Sequence, residues 1–224
     1  MSGKRSIVNN EWILNRLESG IKHFQATVYV PNAEMYHEAA ISPQKPHTLM
    51  ISCADSRVDV ELITNSRPGE LFVTRNVGNM VPAYGHRCNG VSAVIEYAVT
   101  TLKVKHIVVC GHSDCGAMKA LLNPESAEQM PSVAGWLTHG HSALSAADSR
   151  CGDGEVSQQR LRCLTEENVL LQLDHLKTHP CVAGALVRKE LTLSGWVYEI
   201  ATGDVRIAEK GGGSFRSVGE SPAR

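Results

Sequence analysis

The sequence has no long apolar run. Nowhere does it hold the roughly 20 consecutive apolar residues that a membrane-spanning helix needs, and the stretch before Glu11 and Trp12 has no apolar signal core. These two absences set the expectation of a cytoplasmic chain with no membrane partner. An excess of either charge is also missing. The 22 Lys and Arg oppose 23 Asp and Glu, interspersed without a block of one sign. That excludes the basic stripe of a nucleic-acid binder and the footing for an anionic lipid surface. There is no internal repeat and no C-x-x-C, which sets aside a repeat array and a thiol redox motif. The cysteines number seven, an odd count in a chain that is not short, so a disulfide scaffold is not expected. Cys110, Cys163 and Cys181 read as small buried hydrophobes. Cys53 and Cys115 stand apart, because polar and metal-binding side chain types surround them.

What is present is a chain of 224 residues, 42% hydrophobic, enough for one α/β domain with a sizeable core. Apolar residues at Trp12, Ile13, Leu14, Leu17, Ile21 and Phe24 predict a helix over Ile7–Phe24, and Asn32 is placed to cap a second helix through Ala40. These form an N-terminal helical arm over 1–43, packed either on its own domain or on a partner subunit. Short apolar runs at Thr48–Cys53, Leu71–Thr74 and Ile107–Cys110 then read as buried strands, with an amphipathic helix over Val91–Leu102 between the second and third. Strands alternating with helices predict a mostly parallel central sheet flanked by helices. Helices follow over Pro131–Leu144, Glu166–Leu176 and Val182–Lys189, the second entered through Glu155–Arg162. Leu191–Ile200 and Val205–Ala208, joined by the turn at Thr202-Gly203-Asp204, form a C-terminal strand pair. The expected organisation is one domain over 1–209 and a flexible, glycine-rich tail over 210–224.

Two clusters carry chemistry. Cys53-Ala-Asp55-Ser-Arg57 follows the first strand, and His112-Ser-Asp-Cys115 follows the third. Ligands of open parallel sheets bind beyond the carboxyl ends of strands, so if these strands are neighbours, Cys53, His112 and Cys115 converge. Cys, His and Cys are zinc ligands, and a set of three leaves the fourth tetrahedral position to water, as in catalytic sites. Asp55 and Arg57 have two readings: a salt bridge that shapes the turn, or an arginine-held carboxylate that accepts a hydrogen bond from the nucleophile. Asp55 is also an acceptable zinc ligand, which would close the site.

Cys53–Arg57, Pro68–Asn79, Ile95–Ala98 and Cys110–Ala117, in this order, resemble the β-class carbonic anhydrases, with similarity from about Gln44 to Asp204. The resemblance implies one Zn2+ per chain on Cys53, His112 and Cys115, with an Asp55–Arg57 dyad beside it. It further implies an apolar carbon dioxide pocket at Phe72, Val77 and Tyr97, substrate contacts from Gln44 of a partner chain and from the backbone N–H of Gly116, and a homodimer or larger homo-oligomer. One subgroup with an inhibitory bicarbonate pocket has tryptophan at the position of Met50. Arg75 and Tyr198 match that pocket's other members but Met50 does not, so the chain resembles the plant-like subgroup. The expected function is reversible hydration of carbon dioxide to bicarbonate and a proton, by attack of hydroxide generated at zinc. The alternatives are a zinc hydrolase of carbonyl sulfide or carbon disulfide on the same fold, and a non-catalytic zinc-binding interaction protein. His86, His139 and His141 are proton-shuttle candidates by residue type alone.

Overall fold

A computed structural model describes residues 10–85, 89–154 and 157–219. The chain divides into two compact units, Met1–Gln44 and Lys45–Arg224. The first holds α1 (Asn10–Phe24) and α2 (Ala33–Ile41), joined by a wide π-type turn at Gln25–Tyr29 and a tight turn at Val30–Asn32. Phe24, Tyr29 and Tyr36 group their rings, with centroids 5.0 Å apart for the two tyrosines. No residue of α1 is buried; Trp12, Leu14, Leu17 and Ile21 all lie on its open surface. Asn32 does precede α2, but its side chain is no cap: its amide donates back to the Val28 carbonyl at 2.7 Å.

In the second unit the apolar runs become strands: β1 (Thr48–Cys53), β2 (Leu71–Asn76), β3 (His106–His112), β4 (Thr192–Tyr198), β5 (Val205–Ala208) and β6 (Phe215–Ser217). They form one sheet in the order β2-β1-β3-β4-β5-β6. The first four are mutually parallel, and β5 pairs antiparallel with both β4 and β6. β1 is buried along its whole length, because both sheet faces are covered. Leu49 and Ile51 point into a cluster with Ile107, Val109 and Val197, packed under α4 (Gly90–Glu96), α8 (Gln158–Thr178) and α9 (Pro180–Val187). Met50 points the other way, with Val108 and Cys110, toward α3 (Val60–Thr64). A third cluster joins Cys53, Met80 and Cys115 to α5 (Gly116–Leu122), α6 (Pro131–Leu137) and α7 (His141–Cys151).

Several expectations are corrected. The helix expected over Pro131–Leu144 is α6 and α7, broken by a tight turn at Thr138–Gly140. A Cβ at Gly140 would stand 2.8 Å from Leu121 Cδ1 and 2.9 Å from Met80 Cε, so the chain passes too close there to carry a side chain. The helix expected over Glu166–Leu176 is the middle of α8, which starts where the Ser157 hydroxyl caps the Arg160 N–H. The lead-in expected from Glu155 falls partly outside the described residues. Part of the segment expected to be a flexible tail is ordered: Phe215–Ser217 pairs with Arg206–Ala208, extending the strand pair to three. Cys163 is not a free hydrophobe; it forms a disulfide with Cys151, linking α7 to α8. Cys110 is buried as expected, and burial pushes its thiol up to about 12. Cys181 is only half-buried.

Candidate metal centre

β1 and β3 are neighbours with Ser52 opposite Cys110, so both clusters emerge at one edge of the sheet. The sulfurs of Cys53 and Cys115 lie 4.0 Å apart. Two sulfurs on one tetrahedral zinc, each at the usual Zn–S length, would be separated by roughly 3.8 Å. The ligating atoms of Cys53, His112 and Cys115 all fall within 4.8 Å of one another, and all three residues are buried. Among the described residues this is the one such group of three.

The imidazole is set for a cation. His112 Nδ1 lies 2.9 Å from the Ser113 carbonyl, which can only accept, so Nδ1 carries the hydrogen and Nε2 presents a lone pair. Nε2 is buried and has no hydrogen-bond partner within the protein. An orphaned buried nitrogen facing two sulfurs is costly unless a metal satisfies it. Ser113 is itself pinned by β4: its N–H donates to Tyr198 O at 2.9 Å, and its hydroxyl accepts from Ile200 N at 3.0 Å.

The sulfurs are tuned by their surroundings. The hydrogen bond between the two sulfurs is the largest influence on Cys53; together with the N–H groups of Gly78 and Asp55 it outweighs burial and lowers the Cys53 thiol to about 4. Cys115 is raised by that same hydrogen bond and by burial. The two thiols are therefore pushed in opposite directions, and a divalent cation binding both as thiolates takes the place of the proton between them.

Asp55 stands at the mouth of the centre, its Oδ2 3.9 Å from His112 Nε2. Arg57 grips it at two points, Nε to Oδ1 at 2.9 Å and Nη2 to Oδ2 at 2.8 Å, and the Arg57 N–H adds a bond to Oδ1 at 3.0 Å. This two-point hydrogen bonding holds the Asp55 carboxyl well below the usual carboxylate range. The turn that carries both residues is clamped by Arg75, whose Nε donates to Cys53 O at 3.0 Å and Nη2 to Asp55 O at 2.6 Å.

The remaining residues singled out by sequence are less tightly gathered. Phe72 and Tyr97 meet, ring centroids 5.9 Å apart. Val77 follows β2 and is 40% exposed; Tyr97 is 45% exposed. Gly116 opens α5 directly after Cys115, and a Cβ built on it meets nothing within 4 Å. Gln44 ends the N-terminal unit. His86 lies outside the described residues, His139 packs edge-on against Trp136, and His141 starts α7 on the exposed surface. Sequence reasoning passed over Ser113 and Asp114. The Asp114 carboxylate bonds both Arg57 and Lys119, and the only signal was its place between two expected ligands.

The fold and this site define an α/β metalloprotein whose Cys–His–Cys set suits zinc and leaves a coordination position without a protein ligand. The sequence profile of the family described as carbonic anhydrase matches residues 48–205. A carbonic anhydrase of Pseudomonas aeruginosa is 45% identical over 203 residues, covering 91% of each chain. The structure of the β-carbonic anhydrase CcaA superposes with a TM-score of 0.86 at 36% identity, covering 91% of this chain and 98% of that one. A tetrameric β-carbonic anhydrase of Sordaria macrospora superposes at 0.79 with 27% identity, covering 90% and 98%. The chain belongs to the β-class carbonic anhydrase family. It is a zinc enzyme of the reversible hydration of carbon dioxide to bicarbonate and a proton, and neither alternative function is favoured.

Proposed function

We propose that Cys53, His112 and Cys115 hold the catalytic zinc and that Asp55, fixed by Arg57, orients the nucleophile. The observation that carries this reading is the unpartnered, buried Nε2 of His112, facing two sulfurs beside a carboxylate whose two oxygens are both held by arginine. Zinc, when bound, lowers the pKa of a water it holds and so supplies hydroxide near neutral pH. Asp55 Oδ2, bonded once by Arg57, keeps a lone pair that would accept a hydrogen from a nucleophile held there and so orient it toward carbon dioxide. Phe72, Val77 and Tyr97 offer an apolar wall for that uncharged substrate. The exposure of Val77 and Tyr97 supports a pocket completed by a second copy, with Gln44 reaching substrate across the interface. The N–H of Gly116, in the first turn of α5, donates to a bicarbonate oxygen.

The exposed apolar residues of α1 support a homo-oligomer of at least two chains, as does the tetrameric relative. Because Arg57 occupies both Asp55 oxygens and Met50 stands where tryptophan marks the inhibited subgroup, we place the chain in the plant-like subgroup, with Asp55 off the metal at rest. We read the chain as cytoplasmic from its sequence; among the described residues no helix is long and apolar enough to cross a membrane.

Stopped-flow hydration on zinc-loaded wild type, Asp55→Ala and Cys53→Ser tests the residue roles. Asp55→Ala is expected to keep its zinc and lose most of its kcat, whereas Cys53→Ser loses zinc. An Asp55→Ala protein that emptied of metal would make Asp55 a principal ligand and overturn its orienting role.

A further inference from the structure

Arg57 is held from two directions. One edge of its guanidinium is the fork on Asp55. On the other, Nη1 donates to Asp114 Oδ2 at 3.0 Å and Nη2 approaches the Asp114 carbonyl at 3.4 Å. The second Asp114 oxygen is bonded by Lys119 of α5. Asp114 is thus the middle of a chain of contacts running Lys119–Asp114–Arg57–Asp55, ending 3.9 Å from the ligating nitrogen of His112. Its backbone is left-handed, φ 62°, a conformation most side chains avoid and Asp tolerates. Glycine would be easier there, so the carboxylate is kept against a backbone preference. Asp114 also lies between His112 and Cys115 in the chain, so the loop that carries two ligands also sets the position of the arginine.

An arginine anchored at only one edge can rotate about its long side chain. The Asp114 contacts leave Arg57 one orientation, the one in which Nε and Nη2 both face Asp55. Without them Arg57 releases Asp55 for part of the time, and a freed carboxylate beside the metal position is itself a zinc ligand. We propose that Asp114 is a positioning residue that locks Arg57 and, through it, keeps Asp55 off the metal so that the fourth position stays open to small ligands. The proposal rests on the zinc reading above. It adds that the open position is maintained by a carboxylate that touches neither metal nor substrate. Asp114 and Arg57 are each nearly half exposed, so their pairing is screened and the effect is moderate.

The test is azide binding to the cobalt(II)-substituted protein, read from the visible absorption of the metal. The variants are wild type, Asp114→Gly, Asp55→Ala and the double variant. Glycine suits the positive φ, so Asp114→Gly removes the carboxylate without straining the loop. Asp114→Gly is expected to bind azide about three- to tenfold more weakly, the size of a modest pairwise interaction, and the double variant no more weakly than Asp55→Ala alone. Wild-type affinity in Asp114→Gly would overturn the proposal, as would an undiminished loss in the Asp55→Ala background. If Asp114→Gly fails to hold cobalt, the same cycle with Asp114→Asn decides, since Asn also tolerates this φ. Failure of the zinc reading looks different: wild type itself would then give no cobalt spectrum that azide perturbs.

Discussion

Gly111 of β3 and Val169 of α8 meet where no side chain fits between them: a Cβ at 111 would stand 2.8 Å from Val169 Cγ2 and 3.4 Å from Thr165 Cγ2. Gly195, across from Val109 in the sheet, meets the same valine, at 2.5 Å from Cγ1. These two glycines let the helix lie on the strands and hold the carboxyl end of β3, hence His112, at its depth. Gly111→Ala forces helix and strand apart and should destabilise by about 1–3 kcal/mol. Urea unfolding of the two proteins checks this, and because His112 is the next residue, zinc content should fall as well. An unchanged urea midpoint would mean that α8 yields freely.

Glu166 anchors the same helix to β5. It bonds Arg206, whose side chain is 8% exposed, and also Arg150 and Arg162. Burial raises the Glu166 carboxyl, but Arg206 first and then the other arginines outweigh it, leaving it below its ordinary 4.5. A folded-state pKa lower than the unfolded one gives stability that is complete above about 4.5 and fades as pH falls through the folded value. Glu166→Gln should therefore cost about 1–2 kcal/mol at neutral pH, because Arg206 loses one of two charge partners and keeps Glu199 at 2.8 Å. The gap to wild type should narrow steadily in denaturation curves taken below pH 4.5. A pH-independent gap would assign the loss to packing.

The Cys151–Cys163 bridge closes a short loop, 12 residues apart in sequence. Closing a loop of that size stabilises by roughly 3 kcal/mol through the unfolded chain. Cys163→Ala, or reduction with dithiothreitol, should lower the melting temperature, while Cys53 and Cys115 are unaffected. Alkylation followed by mass spectrometry should label Cys151 only after reduction; labelling without reductant would show the bridge to be absent in solution.

With Cys53 and Cys115 bound as thiolates, as proposed above, the zinc centre is near neutral, whereas three neutral histidines would leave it at the ion's own charge. A less positive centre acidifies water less. Hydration activity should therefore rise from pH 6 to 9 with an apparent pKa above the roughly 7 of a three-histidine zinc site. Initial rates across that range, at fixed ionic strength, decide; a flat or falling profile would mean that other groups set the charge.

The parts of this site readable in sequence are those fixed by local chemistry. Leu49–Ile51 and Ile107–Cys110 are apolar without a break, which marks strands covered on both faces, and a ligand type follows each within two residues. Their adjacency was only a condition, because strand order depends on long-range pairing that no local pattern encodes. The same limit hid the Arg206–Glu166 pair, which joins residues 40 apart, and the Cys151–Cys163 bridge, since a cysteine's partner cannot be read from its spacing. Thr138–Gly140 looked helical because the break comes from the close approach of Leu121 and Met80, outside the segment. β6 was missed because a strand of three residues after three glycines carries almost no periodicity. Asp114 was passed over because its use depends on Arg57 arriving from another loop.

The most direct test of the account is zinc K-edge X-ray absorption on the purified protein. Two sulfur scatterers at about 2.3 Å and two light ones near 2.0–2.1 Å, one of which exchanges for added azide, are the expected first shell. A shell of four protein ligands with no exchangeable member, or one without sulfur, would contradict it.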